Sequence, residues 1–128
     1  MPLWEEYKEI ARERGSLAFE LFVVESTPAA APDALQATLP RHLAYQKEME
    51  AAGRLFLAGP LSDDTGEQMI GAGLIIYRAQ SMDEAHEIAR NDPMHAEGIR
   101  TFTLRKWLVN EGSPSFETQL GAKRVVLK

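Results

Sequence analysis

The sequence predicts an α+β domain with its elements in the order β-α-β-β-α-β. Three observations carry that expectation. Two nearly continuous apolar runs, around Leu21-Phe22-Val23-Val24 and Leu74-Ile75-Ile76-Tyr77, read as central strands. Each is followed by a stretch with apolar residues at helical spacing. Gly, Pro and Asp residues fall between these stretches, where turns are needed. A length of 128 residues suits one such domain, with 45% apolar and 26% charged residues, the balance of an ordinary globular chain.

The elements follow in order. Residues 2–14 are expected to form a helix, because Leu3, Tyr7, Ile10 and Ala11 keep helical spacing and Gly15 is a natural stop. This makes 1–15 a helical extension, with the domain proper at 16–110 and a tail at 111–128. Residues 16–24 read as the first strand. Leu17, Phe19, Leu21 and Val23 line one face, and Ala18, Glu20, Phe22 and Val24 the other. A helix covers one face. The mixed face, with Glu20 beside Phe22 and Val24, is expected to be covered by a second copy of the chain. Residues 26–32, rich in Pro and Ala, read as a loop, and 33–38 as no more than a helical turn. Pro40 biases Leu39 toward an extended backbone and suits a first helical position. The helix then runs over 40–52 and stops at Gly53. His42, Tyr45, Met49 and Ala52 form its inner stripe, so His42 is expected in the first turn.

Residues 54–58 read as a short strand closed by Gly59-Pro60. Asp63, Asp64 and Gly66 mark a loop, and 71–79 the third strand. Ser81-Met82-Asp83-Glu84 has the capping-box pattern of a helix start. That helix buries Ala85, Ile88 and Ala89. Asp92 lies on the same face, and Pro93 ends the helix or opens a turn capped by Asp92. Residues 100–109 form the fourth strand. The tail opens on Gly112-Ser113-Pro114 and ends with Arg124-Val125-Val126-Leu127, a candidate extra strand.

If each element reverses the chain, neighbouring strands are antiparallel and the result is a ferredoxin-like βαββαβ two-layer sandwich. In that topology the start of the first helix and the end of the second share one end of the domain. His42 and Asp92 therefore meet there, with Gly59-Pro60, the 61–69 loop and Arg100 close by. An imidazole and a carboxylate converging from separate elements are what a pocket with acid–base chemistry requires. The plainer alternative is that Asp92 caps a turn and His42 is a hydrogen-bonded core residue. His86 is expected on the outer face of its helix, and His95 at the surface, the pocket rim three residues past Asp92 being the alternative.

Other function classes are disfavoured. A net charge of −5 without a Lys/Arg cluster argues against nucleic-acid binding. The chain has no cysteine, so disulfides, thiol catalysis and zinc–thiolate sites are out. A metal held by His42, Asp92 and His95 is disfavoured, as no tight His spacing supports it. No apolar run approaches the ~20 residues of a membrane span. The charged N-terminus is unlike a signal peptide, so a cytoplasmic protein is expected. Gly71-Ala72-Gly73 enters a strand and opens no helix, so no nucleotide-type phosphate loop and no organic cofactor are expected.

Three segments carry a family resemblance: Leu39-Pro40-Arg41-His42-Leu43-Ala44-Tyr45, then Ala52-Gly53-Arg54-Leu55-Phe56-Leu57-Ala58-Gly59-Pro60, then Ser81-Met82-Asp83-Glu84-Ala85 with Asn91-Asp92-Pro93. Their order and spacing resemble the YciI-like (YCII-related) family across about residues 16–109. The resemblance implies a ferredoxin-like fold that dimerises through its sheets as a dimeric α+β barrel. It also implies an active-site pocket whose histidine and aspartate fall on His42 and Asp92. Some members are similar to a dehydrochlorinase acting on a chlorinated hydroxyquinol; relatives of the fold include muconolactone isomerases and cofactor-free monooxygenases. The sequence departs from the family's Arg-Pro-x-His pattern, having Leu39-Pro40-Arg41-His42 instead.

The expected function is a cofactor-free lyase or isomerase that moves a proton on a small oxygenated molecule. His42 and Asp92 are the catalytic candidates, and Arg41, Tyr45 and Arg100 the substrate contacts. The alternative is a non-catalytic ligand-binding or structural homodimer.

Overall fold

A computed structural model describes all residues, 1–128. The chain falls into two compact units. The larger, Glu20–Trp107, holds the sheet and the helices that cover it. Its elements are β1 (Phe19–Pro28), α2 (Pro32–Ala51), β2 (Leu55–Ser62), β3 (Met69–Tyr77), α3 (Met82–Asn91), α4 (Pro93–Ala96) and β4 (Arg100–Val109), counting α1 (Trp4–Glu13) as the first helix. The sheet order is β2-β3-β1-β4, with β3 antiparallel to both β1 and β2. This is the ferredoxin-like α+β sandwich that the element order predicts.

Phe22 and Val24 of β1, with Ile75 and Tyr77 of β3, pack on Ala85, Ile88 and Ala89 of α3. These side chains are almost wholly buried, and burial of such apolar surface is the main force holding sheet to helix. The face carrying Phe22 and Val24 is thus the helix-covered one. The expectation that a second copy covers it is corrected: α3 already does, and Glu20 sits at its end, 3.9 Å from Lys106.

Local propensity was overridden in three places. First, α2 is one 20-residue helix that runs through Pro40 instead of starting there. Pro32 already supplies a pre-set first turn. Pro40 withholds only the N–H that would bond the Gln36 carbonyl, and Gln36 is exposed to water. His42 consequently stands mid-helix and not in a first turn. Second, β2 continues through Gly59-Pro60. It is an edge strand, where proline's missing donor costs little, and its register shifts just after Pro60. Third, β1 begins at Phe19. Ala18 has φ 51°, a left-handed backbone that no strand uses. The strand then extends to Pro28, because pairing with β3, down to Ser26 opposite Gly73, outweighs the loop character of Ser26-Thr27-Pro28.

The smaller unit comprises Met1–Phe19 and Leu108–Lys128. Ala11, Ala18 and Leu108 are its buried centre, with Trp4 and Tyr7 packed on them. The Asn110 side chain accepts from the Ala18 N–H at 3.2 Å, which holds the left-handed turn. The expected tail strand, β6 (Arg124–Leu127), is real and pairs with β5 (Phe116–Gln119) as a hairpin. No helix is long and apolar enough to cross a membrane.

Candidate active site

Ser81 starts α3 by accepting the Glu84 N–H at 3.1 Å. At the far end, Pro93 disfavours helical backbone for the residue before it, and Asp92 leaves the helix extended, at φ −61° and ψ 126°. Its Oδ1 then accepts the Met94 N–H at 3.0 Å, capping α4. The same carboxylate meets His42 of α2. His42 Nδ1 lies 2.7 Å from Oδ2 and 2.9 Å from Oδ1. Asp92 is completely buried, and the His42 side chain is 16% exposed. A buried carboxyl group needs hydrogen-bond partners, and here a backbone N–H and the imidazole supply them. Both carboxyl oxygens face Nδ1, which places the ring hydrogen on that nitrogen. Nε2 has no partner within the protein.

His42 lines a cavity of about 460 Å³. Leu39 and Leu43 of α2, Met69 and Leu74 of β3, and Met94 of α4 form apolar walls. Arg100, the first residue of β4, completes it and is anchored through three acceptors. Its Nε donates to Ser26 Oγ at 2.8 Å, and its Nη2 to the Ser26 carbonyl at 2.9 Å and to the Gly71 carbonyl. Gly71 adopts φ +85°, and a Cβ there would come within 2.6 Å of the Pro28 ring. Only glycine presents its carbonyl this way.

Ser26 links Arg100 to His95, whose Nε2 lies 2.8 Å from Ser26 Oγ. His95 Nδ1 donates to the Ala89 carbonyl at 2.7 Å, so Nε2 is the acceptor and Ser26 the donor. Burial holds the His95 imidazole below its ordinary value of 6.5. The expectation of a surface His95 is corrected. It packs on Phe102, with ring centroids 4.6 Å apart, and belongs to the second layer around the cavity. His86 is exposed, as expected.

Two expected substrate contacts stand elsewhere. Arg41 forms a two-pronged ion pair with Glu97 on the surface and is not on the lining of the His42 cavity. Tyr45 donates its hydroxyl to the Ile88 carbonyl at 2.7 Å and lines a different cavity of about 450 Å³, with Glu48, Arg54, Glu84 and Glu87. Burial, reinforced by the Asp92 charge, pushes the Tyr45 phenol up to about 12. A larger groove of about 780 Å³ between α2 and β2 holds no paired acid and base. No three His, Asp or Glu side chains converge as metal ligands.

Residues 19–108 match the YCII-related domain. The chain belongs to the YCII-related family. The uncharacterised protein YjpA of Bacillus subtilis (strain 168) is 35% identical over 66 residues, which is 52% of this chain and 71% of YjpA. Among solved structures, this YCII-related fold is similar to 5-chloro-2-hydroxyhydroquinone dehydrochlorinase (TftG) from Burkholderia phenoliruptrix AC1100, in complex with 2,5-dihydroxybenzoquinone. The two share 26% identity at a TM-score of 0.50, over 68% of this chain and 92% of that one.

Proposed function

We propose that this YCII-related protein is a small lyase or isomerase that moves a proton on a small oxygenated molecule. The observation that carries the reading is the His42 ring. One nitrogen is locked to a buried carboxylate and the other is left for the cavity. Neutral Nε2 takes a proton from an acidic C–H or O–H of the ligand. Asp92 holds the tautomer and offsets the imidazolium charge that forms. In an elimination, the electron pair of the broken C–H bond forms a double bond as a leaving group such as chloride departs. In an isomerisation, the imidazolium returns the proton to another atom. Both steps balance without a cofactor. The similarity to a dehydrochlorinase favours elimination.

The test uses chloride release from 5-chloro-2-hydroxyhydroquinone, and solvent-deuterium exchange into a panel of small hydroxyquinones. Wild type is expected to turn over at least one of them. His42→Asn is expected to lose about 10²-fold or more while keeping its melting temperature. Equal rates in the two proteins would remove His42 from the chemistry.

A second reading rests on Asp92 as the cap of α4. In it the His42–Asp92 pair only ties two helices together, and His42→Asn leaves any ligand binding and turnover untouched. In either reading we propose a homodimer. Leu57 at 52% and Trp107 at 44% exposure are apolar residues suited to an interface. Sedimentation at the mass of one 14.3 kDa chain would refute it.

A further inference from the structure

We infer that Arg100 is the anchor for an oxyanion, so that the His42 cavity takes a small, largely apolar molecule carrying a negatively charged oxygen. This rests on the reading of that cavity as a substrate site, and adds the substrate's charge.

A guanidinium has five N–H bonds. Three of those on Arg100 are spent on Ser26 Oγ, the Ser26 carbonyl and the Gly71 carbonyl. The two on Nη1 have no partner in the protein. All three acceptors already engaged are neutral. No carboxylate touches Arg100, although the chain carries five more acidic than basic side chains. Arg100 is also the only charged side chain on the cavity lining; Asp92 stands behind His42 and is not on it. The cavity therefore holds a half-buried positive charge that no carboxylate touches; the Asp92 charge reaches it only through space, and burial outweighs that influence. Such a charge favours an anion that can contact it directly.

The guanidinium is also held in one orientation. Ser26 accepts from Arg100 and donates to His95, whose other nitrogen is fixed on the Ala89 carbonyl. Each member of this chain has its hydrogen-bonding role set by the next. The free edge of the guanidinium cannot swing to another partner without breaking three bonds, so the anion site is pre-organised. Because a single nitrogen is free, the contact suits one oxygen atom, as in a phenolate, an enolate or one arm of a carboxylate, and not a two-pronged grip. The walls of Leu39, Leu43, Met69, Leu74 and Met94 fit an apolar body between that oxygen and His42. Ser26 and His95 are positioning residues in this arrangement.

Calorimetric titration of the full-length protein tests it. The probes are 2,5-dihydroxybenzoquinone, an anion at neutral pH through its acidic enol hydroxyls, and its neutral dimethyl ether. Wild type is expected to bind the anion at least about tenfold more tightly than the ether. Arg100→Gln is expected to erase that preference by weakening the anion alone. Arg100→Lys, which keeps the charge but loses the shape, should retain part of it. Arg41→Ala, at a surface residue outside the cavity, should bind the anion as wild type does. Equal affinity of wild type for the two probes, or no binding of the anion, overturns the inference without recourse to a variant. So does a folded Arg100→Gln that keeps the preference. The two readings fail separately: His42→Asn with full turnover sinks the acid–base role, whereas an unchanged Arg100→Gln sinks only the anchor.

Discussion

Arg41 and His42 are neighbours on α2, and each reaches across to one end of α4, Arg41 to Glu97 and His42 to Asp92. The two pairs join the same elements in opposite environments. The Arg41 and Glu97 side chains are 56% and 44% exposed. Their bonding raises the arginine's pKa and lowers the glutamate's, yet water would solvate both charges if they parted, so pairs of this kind add little to stability. Asp92 is wholly buried, so its charge depends on the protein donors around it. One step along a helix turns a side chain by about 100°. Here that step separates a solvated decoration from a fixed imidazole.

Removing the buried carboxylate is expected to have the largest effect. Asp92→Ala deletes the α4 cap and strands the His42 Nδ1–H, which should cost about 1–3 kcal/mol in chemical denaturation. Asp92→Asn sharpens the point, since its carbonyl oxygen can keep the cap. Most of the stability should return while turnover does not. If both variants were as stable as wild type, the contrast with the surface pair would collapse.

Gly71→Ala comes next. A side chain at φ +85° collides with Pro28 and displaces the carbonyl that holds Arg100. About 1–2 kcal/mol of stability should be lost, read as a lower denaturant midpoint.

His95 gives a smaller effect, confined to mild acid. Its folded pKa lies below the ordinary 6.5 because burial penalises the charged ring. Above 6.5 it is neutral in both states and contributes no pH dependence. As pH falls below that, the unfolded chain takes up a proton that the folded chain refuses, so folding weakens until the folded pKa is passed. Burial sets this sign: the Ala89 carbonyl and Asp92 favour a charged ring, His42 and Arg100 oppose it, and burial outweighs the favourable pair. His95→Gln should flatten this part of the stability-versus-pH curve; an unchanged slope would place its origin elsewhere.

The smallest effect should come from Arg41→Ala. No change in melting temperature beyond scatter is expected, and none in anion binding. A clear loss of affinity would return Arg41 to the site.

The pairing of His42 with Asp92 was legible because both lie on helical stripes whose period is set by the backbone, and because Asp-Pro, a cap residue followed by proline, favours a helix end. Arg41 and Tyr45 were misplaced for a related reason. Spacing says which residues share a side of a helix, but not which cavity each meets. Tyr45 lies three residues past His42, about 4.5 Å along the axis, which carries it beyond Asp92 into a different cavity. Ser26 and His95 gave no usable signal. Ser26 read as loop, and nothing local placed it opposite Gly73 or under Arg100.

Alternating and helical periodicity, with glycine, proline and the Ser81 cap as punctuation, determined the element order by themselves, and with it the convergence of His42 and Asp92. They act over a few residues, so a sequence displays them directly. Only the tertiary structure decided that α2 runs through Pro40, that β1 reaches Ser26, and that Arg100, Ser26 and His95 form one hydrogen-bonded chain. Those outcomes depend on strand register and burial between segments up to 74 residues apart. Such contacts exist only once the sheet has closed over its helices.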